Sequence, residues 1–442
     1  MAKLSFVEGQ VLRELIRQKI VDALAMPLPR FTRRDVRLPC ISGKAFAVVG
    51  MRRVGKTTYL WQVISERLDQ GVPRESLLYF NFEDERLVGM TAGDLQLILE
   101  EYYALYPQFR DQHPVLFQFD EVQNVPGWER FVRRILDTEM AEVFITGSSA
   151  ALLSREVATS MRGRAVEVPI FPFSFREFLR HRGYEPDVPV DRLPKADRSR
   201  LQHNLREYLQ VGGFPEVQGV EPRDRYELLK GYVDVVLLRD VIERHSVSNV
   251  HALRWLVRYL LGAPAGLFSV NRFHRDLRSQ GISVGKDTLH EFLSYLEDAF
   301  LIRIVWLDTL SERKRMVNPR KIYPVDPGFI PIFTRHNNLG PALETVVLLE
   351  LERRGAEVRY VRTPKGFEVD FLARYYDGRE ELIQVTADVR EAQTREREVR
   401  ALIDAAKEYP KASLHLITLE PEVTVEIPTG IKLHPAFSWL LD

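Results

Sequence analysis

Two kinds of hydrophobic periodicity alternate along the first part of the chain. Residues 45–49, 76–82, 115–119 and 142–146 are short, almost unbroken apolar runs. That is the pattern of parallel strands covered on both faces, not the period-two alternation of a half-exposed sheet. Residues 165–168 add a further strand. Residues 58–68 carry helical spacing, and residues 10–25 form a helical pattern on Val11, Leu12, Leu15, Ile16, Val21 and Leu24. Strands alternating with helices predict an α/β domain around a parallel sheet.

Past residue 180 the pattern changes. Helical stretches at 201–210 and 225–244 flank the turn at Gly212-Gly213 and are expected to form a helical lid, with Arg239 either reaching a ligand beneath it or pairing with Asp240 or Glu243. Residues 251–261, 270–280 and 286–298 read as three helices, and residues 301–307 as a β-rich run. Three helices and a hairpin in about sixty residues is the winged-helix plan, with 287–295 as recognition helix. An amphipathic helix at 342–354 and strands at 357–361, 366–373 and 381–386 follow. The expected organisation is an N-terminal helix and basic linker (1–39), a P-loop core (40–180), the lid (181–247), the winged helix (248–320) and an α/β nuclease-like domain (321–442).

Composition narrows the class. At 442 residues the chain exceeds one ordinary core, and about three domains is a reasonable prior. Hydrophobic residues at 45% and charged residues at 28% describe a globular protein, and no apolar run reaches the ~18 residues that a membrane span needs. The first residues lack the apolar segment of a signal peptide, and the single cysteine, Cys40, excludes an internal disulfide or a cysteine metal cluster. A cytoplasmic location is expected. Overall charge is balanced, with 62 basic and 62 acidic residues, but unevenly placed. Residues 1–56 carry a net +8, residues 251–321 a net +5 and residues 341–442 a net −5. Basic segments are where a phosphate-rich partner would sit, although solvated surface explains any one of them equally well.

The chemistry is concentrated at Gly50-Met51-Arg52-Arg53-Val54-Gly55-Lys56-Thr57-Thr58, a full P-loop pattern after the first strand and before the first helix. The glycines let backbone N–H groups curl around phosphate oxygens, Lys56 reaches the β- and γ-phosphates, and Thr57 is placed to ligand Mg²⁺. The strand at 115–119 ends in Asp120-Glu121, the Walker B pattern. Asp120 would hold the Mg²⁺ shell, and Glu121 would orient and deprotonate the attacking water. The strand at 142–146 runs into Ser148 and Ser149, candidate sensors of the γ-phosphate. Arg162 and Arg164 are candidate arginine fingers acting in the site of a neighbouring subunit. ATP and Mg²⁺ are the expected ligands, and a ring or partial ring of identical subunits the expected assembly.

These motifs together resemble a family of prokaryotic AAA-superfamily ATPases related to initiator and signalling NTPases. The likeness rests on Gly-x-Arg-x-x-Gly-Lys-Thr at 50–57, Phe-Asp-Glu-Val-Gln at 119–123 with Trp128, and Ile-Thr-Gly-Ser-Ser-Ala at 145–150. Arg-Gly-Arg at 162–164, Pro-Phe-Ser-Phe-Arg-Glu-Phe at 172–178, Gly-Gly-Phe-Pro-Glu at 212–216, Lys-Ile-Tyr-Pro-Val-Asp at 321–326 and Phe-Glu-Val-Asp-Phe at 367–371 extend it over most of the chain. The resemblance implies an AAA-like core, a helical lid and a composite C-terminal half.

In that C-terminal half, a helix bearing Glu344, a strand bearing Asp370 and a further strand follow the layout of PD-(D/E)XK nucleases. The last strand carries Gln384-Val-Thr386 where Glu-x-Lys is expected, so the reading is a degenerate nuclease site that has lost cleavage. Candidate DNA contacts are Arg33 and Arg34 in the linker, Arg272, Arg275, Lys286 and His290 in the winged helix, and Arg313, Lys314 and Arg315 in its wing. Asp287 and Glu291 oppose them. Three functions stay open: an oligomeric ATPase that binds or remodels DNA, branched or forked DNA included; a signalling NTPase switch with protein partners; and an ATP-regulated nuclease.

Overall fold

The computed structural model describes residues 2–147, 161–334, 339–419 and 427–442, and divides into two units, Met1–Ile170 and Phe171–Asp442. The first unit is built on five parallel strands: β1 (Ala45–Val49), β2 (Leu77–Asn81), β3 (Val115–Asp120), β4 (Ala141–Thr146) and β5 (Ala165–Pro169). Their order is β2-β3-β4-β1-β5, so β4 separates the two strands that carry the phosphate-loop and acidic motifs. Every residue of β1 and β3 is buried, which is why both read as continuous apolar runs. The helix Lys56–Asp69 starts directly at the P-loop lysine. The N-terminal helix, Ala2–Ala25, packs against the β2 side through buried Ile16, Ile20 and Ala23. Lys19 Nζ meets Asp84 at 2.6 Å there, and Asp84 also caps the turn after β2.

The second unit opens with the helices Phe175–His181, Lys195–Val211 and Pro222–Val235, the last continued by a π-helical segment, Val236–Glu243. Arg239 pairs with Glu243 at 3.0 Å. Next come the helix Val250–Gly262, β6 (Leu267–Phe268), the helices Val270–Ser279 and Lys286–Asp298, β7 (Ile302–Leu307), the helix Glu312–Val317 and β8 (Arg320–Pro324). The helix Leu339–Arg353 leads to β9 (Glu357–Arg362), β10 (Glu368–Arg374) and β11 (Glu380–Thr386). The helix Ala392–Ala405, β12 (Ser413–Thr418) and β13 (Ile431–Pro435) complete the sheet.

These eight strands form one sheet, in the order β13-β12-β11-β10-β9-β7-β8-β6. The expected border at 320/321 therefore falls inside β8, and the expected lid, three-helix segment and C-terminal segment share one unit. The cause is the parallel pairing of β7 with β9, Trp306 beside Arg359 and Leu307 beside Tyr360. One core follows from it: Tyr208 from the helix Lys195–Val211, Val305 and Tyr323 from β7 and β8, and Leu343, Phe371 and Ile383 beyond them pack in a single cluster.

Three of the sequence motifs meet at a buried joint. Asp326 is fully buried and accepts the N–H groups of Gly213 at 2.7 Å and Gly328 at 2.8 Å. A Cβ on Gly212 would lie 1.8 Å from Asp326 Oδ1, and one on Gly213 2.4 Å from the Phe173 carbonyl oxygen. Gly212 also has φ +82°, so the glycine pair is required twice over. Ser174 caps the adjoining helix in a reciprocal pair with Glu177. Burial pushes the Asp326 carboxyl up to about 7, against the pull of its two N–H donors.

Asp326→Asn should therefore destabilise the chain by about 1–3 kcal/mol, read by urea unfolding, because the amide NH₂ must face one of the two backbone donors. A second expectation concerns acid. His415 on β12 and His434 on β13 face each other, Nδ1 to Nε2, at 3.0 Å, and burial, with the Lys432 charge behind it, pulls His415 down to about 4. The folded state thus favours neutral His415: its stabilisation is full above the ordinary value near 6.5 and is lost as pH falls through 4. The melting temperature should drop between pH 6.5 and 4, and His415→Leu should flatten that slope.

Candidate nucleotide site

The loop between β1 and the helix Lys56–Asp69 turns on residues that accept unusual backbone angles. Gly50, Arg53 and Gly55 have φ of +149°, +68° and +98°. A Cβ on Gly50 would lie 2.2 Å from the Ile170 carbonyl oxygen, so the loop is threaded close under the end of β5. Met51 and Val54 anchor it by burial, while Arg52 is half-buried and Arg53 exposed. Lys56 is buried and folds back on the loop, donating to the carbonyl oxygens of Gly50 at 3.0 Å and Met51 at 3.1 Å. Those carbonyls hold the ammonium over the concavity that would receive phosphates. Thr57 and Thr58 stand exposed at the helix start.

Asp120, at the end of β3, gathers three hydroxyls. Its Oδ2 accepts from Thr57 Oγ1 at 2.9 Å and Tyr79 Oη at 2.7 Å, and its Oδ1 accepts from Thr146 Oγ1. Thr146 also accepts the Glu121 N–H at 3.1 Å, so one side chain at the end of β4 ties the two acids together. Glu121 has φ +54°, and its Oε2 accepts from Gln123 Nε2. Burial pushes the Glu121 carboxyl up, with the Asp120 charge adding to it and Lys56, Gln123 and Arg52 opposing. That is the direction expected of a group that must accept a proton near neutral pH.

The arrangement also suits a metal ion. Thr57 Oγ1 and Asp120 Oδ2, hard oxygen donors 2.9 Å apart, match the edge of an Mg²⁺ octahedron with Mg–O of about 2.0–2.1 Å. These two residues would hold it.

Sequence reasoning placed the P-loop and the acid pair but missed Thr146, Tyr79 and Gln123. The end-of-strand position of Thr146 was the available signal, whereas Tyr79 and Gln123 gave none. Ser148 and Ser149, named instead of Thr146, lie outside the described residues. Arg162 sits exposed on the turn before β5, and Arg164 forms an ion pair with Asp137.

Several candidate DNA contacts are placed elsewhere than expected. Arg34 is buried: its guanidinium donates to the Val54 carbonyl at 2.9 Å, and its backbone exchanges hydrogen bonds with the Gln62 side chain. It braces the P-loop and is not disposed to meet a phosphate backbone. Arg315 is engaged by Glu312 and the Thr309 carbonyl. Burial and the Arg320 charge pull His290 down, away from the charged form that would meet a phosphate. Arg33, Arg272, Arg275, Lys286, Arg313 and Lys314 are exposed.

In the second unit the structure does bring Glu344, Asp370 and Gln384 together, lining a cavity of about 720 Å³. It also corrects the expectation of a site without a lysine. Lys321, from β8, places its ammonium 2.8 Å from Asp370 and 3.3 Å from Glu344.

A strand-inserted parallel sheet with the phosphate loop after β1 and the acid pair after β3 defines a P-loop NTPase of the AAA type. A family model described as an AAA domain matches residues 42–179, and one described as a domain of unknown function matches residues 202–339. The chain is 32% identical over 420 residues to the uncharacterized protein MJ1544 of Methanocaldococcus jannaschii, covering 92% of this chain and 90% of that protein. It is 31% identical over 334 residues to an uncharacterized protein of Haemophilus influenzae, covering 75% and 79%. The chain belongs to the family of these two proteins. Among solved structures it is similar to the Walker-type ATPase PABY2304 of Pyrococcus abyssi, at 16% identity and a TM-score of 0.42, covering 73% of this chain and 95% of that one.

Thr146→Val keeps the shape of the strand end but removes both the bond to Asp120 and the acceptor for the Glu121 N–H. Hydrolysis should fall at least about tenfold with nucleotide binding retained, measured by steady-state turnover beside equilibrium binding of a fluorescent nucleotide.

Proposed function

We propose that this chain is an ATP hydrolase that couples turnover, as an oligomer, to binding or remodelling DNA. The observation that carries the hydrolase reading is the Asp120 cluster: a carboxylate bonded to the P-loop threonine, with Glu121 beside it and tied to it through Thr146. In that site the P-loop N–H groups and Lys56 hold the β- and γ-phosphates of ATP. Thr57 and Asp120 would hold Mg²⁺, which would supply charge neutralisation at the phosphate oxygens. Glu121, once released from Gln123, takes a proton from water aligned with the γ-phosphorus, and Thr146 keeps its backbone in place.

Arg162 supports the oligomeric part of the reading, because it is exposed on a turn while Arg164 is engaged by Asp137. The DNA part rests on Arg272, Arg275, Lys286, Arg313 and Lys314, all exposed on the segment that we read as a winged helix, whose β7 and β8 pair antiparallel. Such contacts read the backbone rather than the bases, so binding weakens steeply with salt. In the C-terminal segment we read a nuclease-like layout without cleavage.

Lys56→Ala should abolish nucleotide binding. Glu121→Gln should bind ATP normally and lose about 10²–10⁴-fold in turnover, the range of a lost general base. Unchanged hydrolysis in Glu121→Gln sinks the assignment of the base. ATPase assays with no DNA, duplex, single-stranded and branched DNA test the coupling. Stimulation that fades with salt supports it, and a flat response with no gel shift favours a protein-partnered switch instead.

A further inference from the structure

Lys321 is buried behind Glu344, Glu368 and Asp370, which line the second unit's polar cavity, with a side chain only 4% exposed. Its Nζ lies 2.8 Å from Asp370 Oδ1, 3.2 Å from Glu368 Oε1 and 3.3 Å from Glu344 Oε2. The ammonium donates to Asp370 and Glu344 and pairs in addition with Glu368, so it faces three carboxyl groups, one on a helix and two on the same face of β10. These are hydrogen-bond distances, well beyond the 2.0–2.2 Å at which carboxylates ligate small divalent metals. Burial disfavours the Lys321 charge, but Asp370, Glu344 and Glu368 outweigh it and hold the ammonium charged well above its ordinary range.

The surrounding groups fix this geometry. Asp370 Oδ2 accepts the Val385 N–H at 3.0 Å, and the Asp370 N–H donates to Gln384 Oε1 at 3.2 Å. Gln384 Nε2 in turn donates to Glu398, which Arg397 holds from the cavity rim. Tyr323 Oη donates to the same Glu344 oxygen at 3.2 Å. Among the described residues no group of three His, Cys, Asp or Glu side chains is disposed to hold a metal ion. The carboxylates are drawn instead around the lysine.

We propose that Lys321 is the resident cation of this cavity, its ammonium occupying the point where Glu344, Glu368 and Asp370 would otherwise close on a divalent ion. The cavity admits such an ion only when that side chain is removed. Burial and the neighbouring Asp370 push the Glu344 carboxyl up to about 8, so acids crowded at this point are costly, and a tethered ammonium supplies counter-charge permanently, without metal and without exchange. Metal-assisted chemistry is thereby blocked at the point where the sequence suggested only that a lysine was missing. The proposal stands on the cluster itself and does not require that the fold be that of a nuclease.

The test is Mn²⁺ titration of the full chain without nucleotide, by calorimetry, for the wild type, Asp370→Asn, Lys321→Met and the double variant. The background at Thr57 and Asp120 is common to all four. Wild type and Asp370→Asn should be indistinguishable, Lys321→Met should gain one equivalent of bound Mn²⁺, and the double variant should lose it again. An Asp370-dependent Mn²⁺ site in the wild type overturns the proposal, as does a folded Lys321→Met that gains none. If Lys321→Met does not fold alone, refolding with Mn²⁺ but not with Na⁺ is the expected result, and failure of Mn²⁺ to restore it also overturns the proposal.

Discussion

The first unit depends on the Asp120 carboxylate. It ends the strand β3, and hydroxyls reach it from the P-loop helix, from β2 and from β4. Three elements far apart in sequence are therefore set in register by one acceptor, and the phosphate loop is held relative to Glu121 before any ligand arrives. A buried carboxylate is costly unless its lone pairs are satisfied. Three hydroxyl donors satisfy this one, at the position where Mg²⁺ would later share its charge. Gln118, two residues earlier on β3, strengthens the frame by donating to the Leu60 carbonyl of the P-loop helix at 3.0 Å.

Much of this was legible in the sequence because it is local. A strand buried on both faces must be apolar throughout, so β1 and β3 announced themselves. A loop that wraps phosphates must have glycine where φ is positive, so Gly50 and Gly55 did too. The helices at 250–262, 270–279 and 286–298 came within one residue of their expected bounds for the same reason. What could not be read were groups that meet across the chain. Arg34 looked like a free basic residue in a proline-rich linker, and only the fold shows it seated under the P-loop at Val54. Lys321 is 49 residues from Asp370 in sequence, and nothing in the β10 or β11 motifs points to it.

The second unit illustrates the same limit at larger scale. Its segments read as a lid, a winged helix and a nuclease-like domain, since each has its own local pattern. The parallel pairing of β7 with β9 then joins them into one sheet. Asp326 closes that joint, and its geometry explains why two glycines stand together at 212 and 213. Both units thus use a buried carboxylate as an organising centre, in one case satisfied by hydroxyls beside a phosphate loop and in the other by backbone amides.

The central claim, that Asp120 sets the metal end of a phosphate site, is tested most directly by Asp120→Asn assayed for ATP hydrolysis across a range of Mg²⁺ concentrations, with nucleotide affinity measured in parallel. The account predicts that ATP still binds in Mg²⁺-free buffer, through the loop amides and Lys56, while Mg²⁺-dependent turnover is lost or needs far higher Mg²⁺. An Asp120→Asn protein whose Mg²⁺ dependence and turnover match the wild type would contradict it.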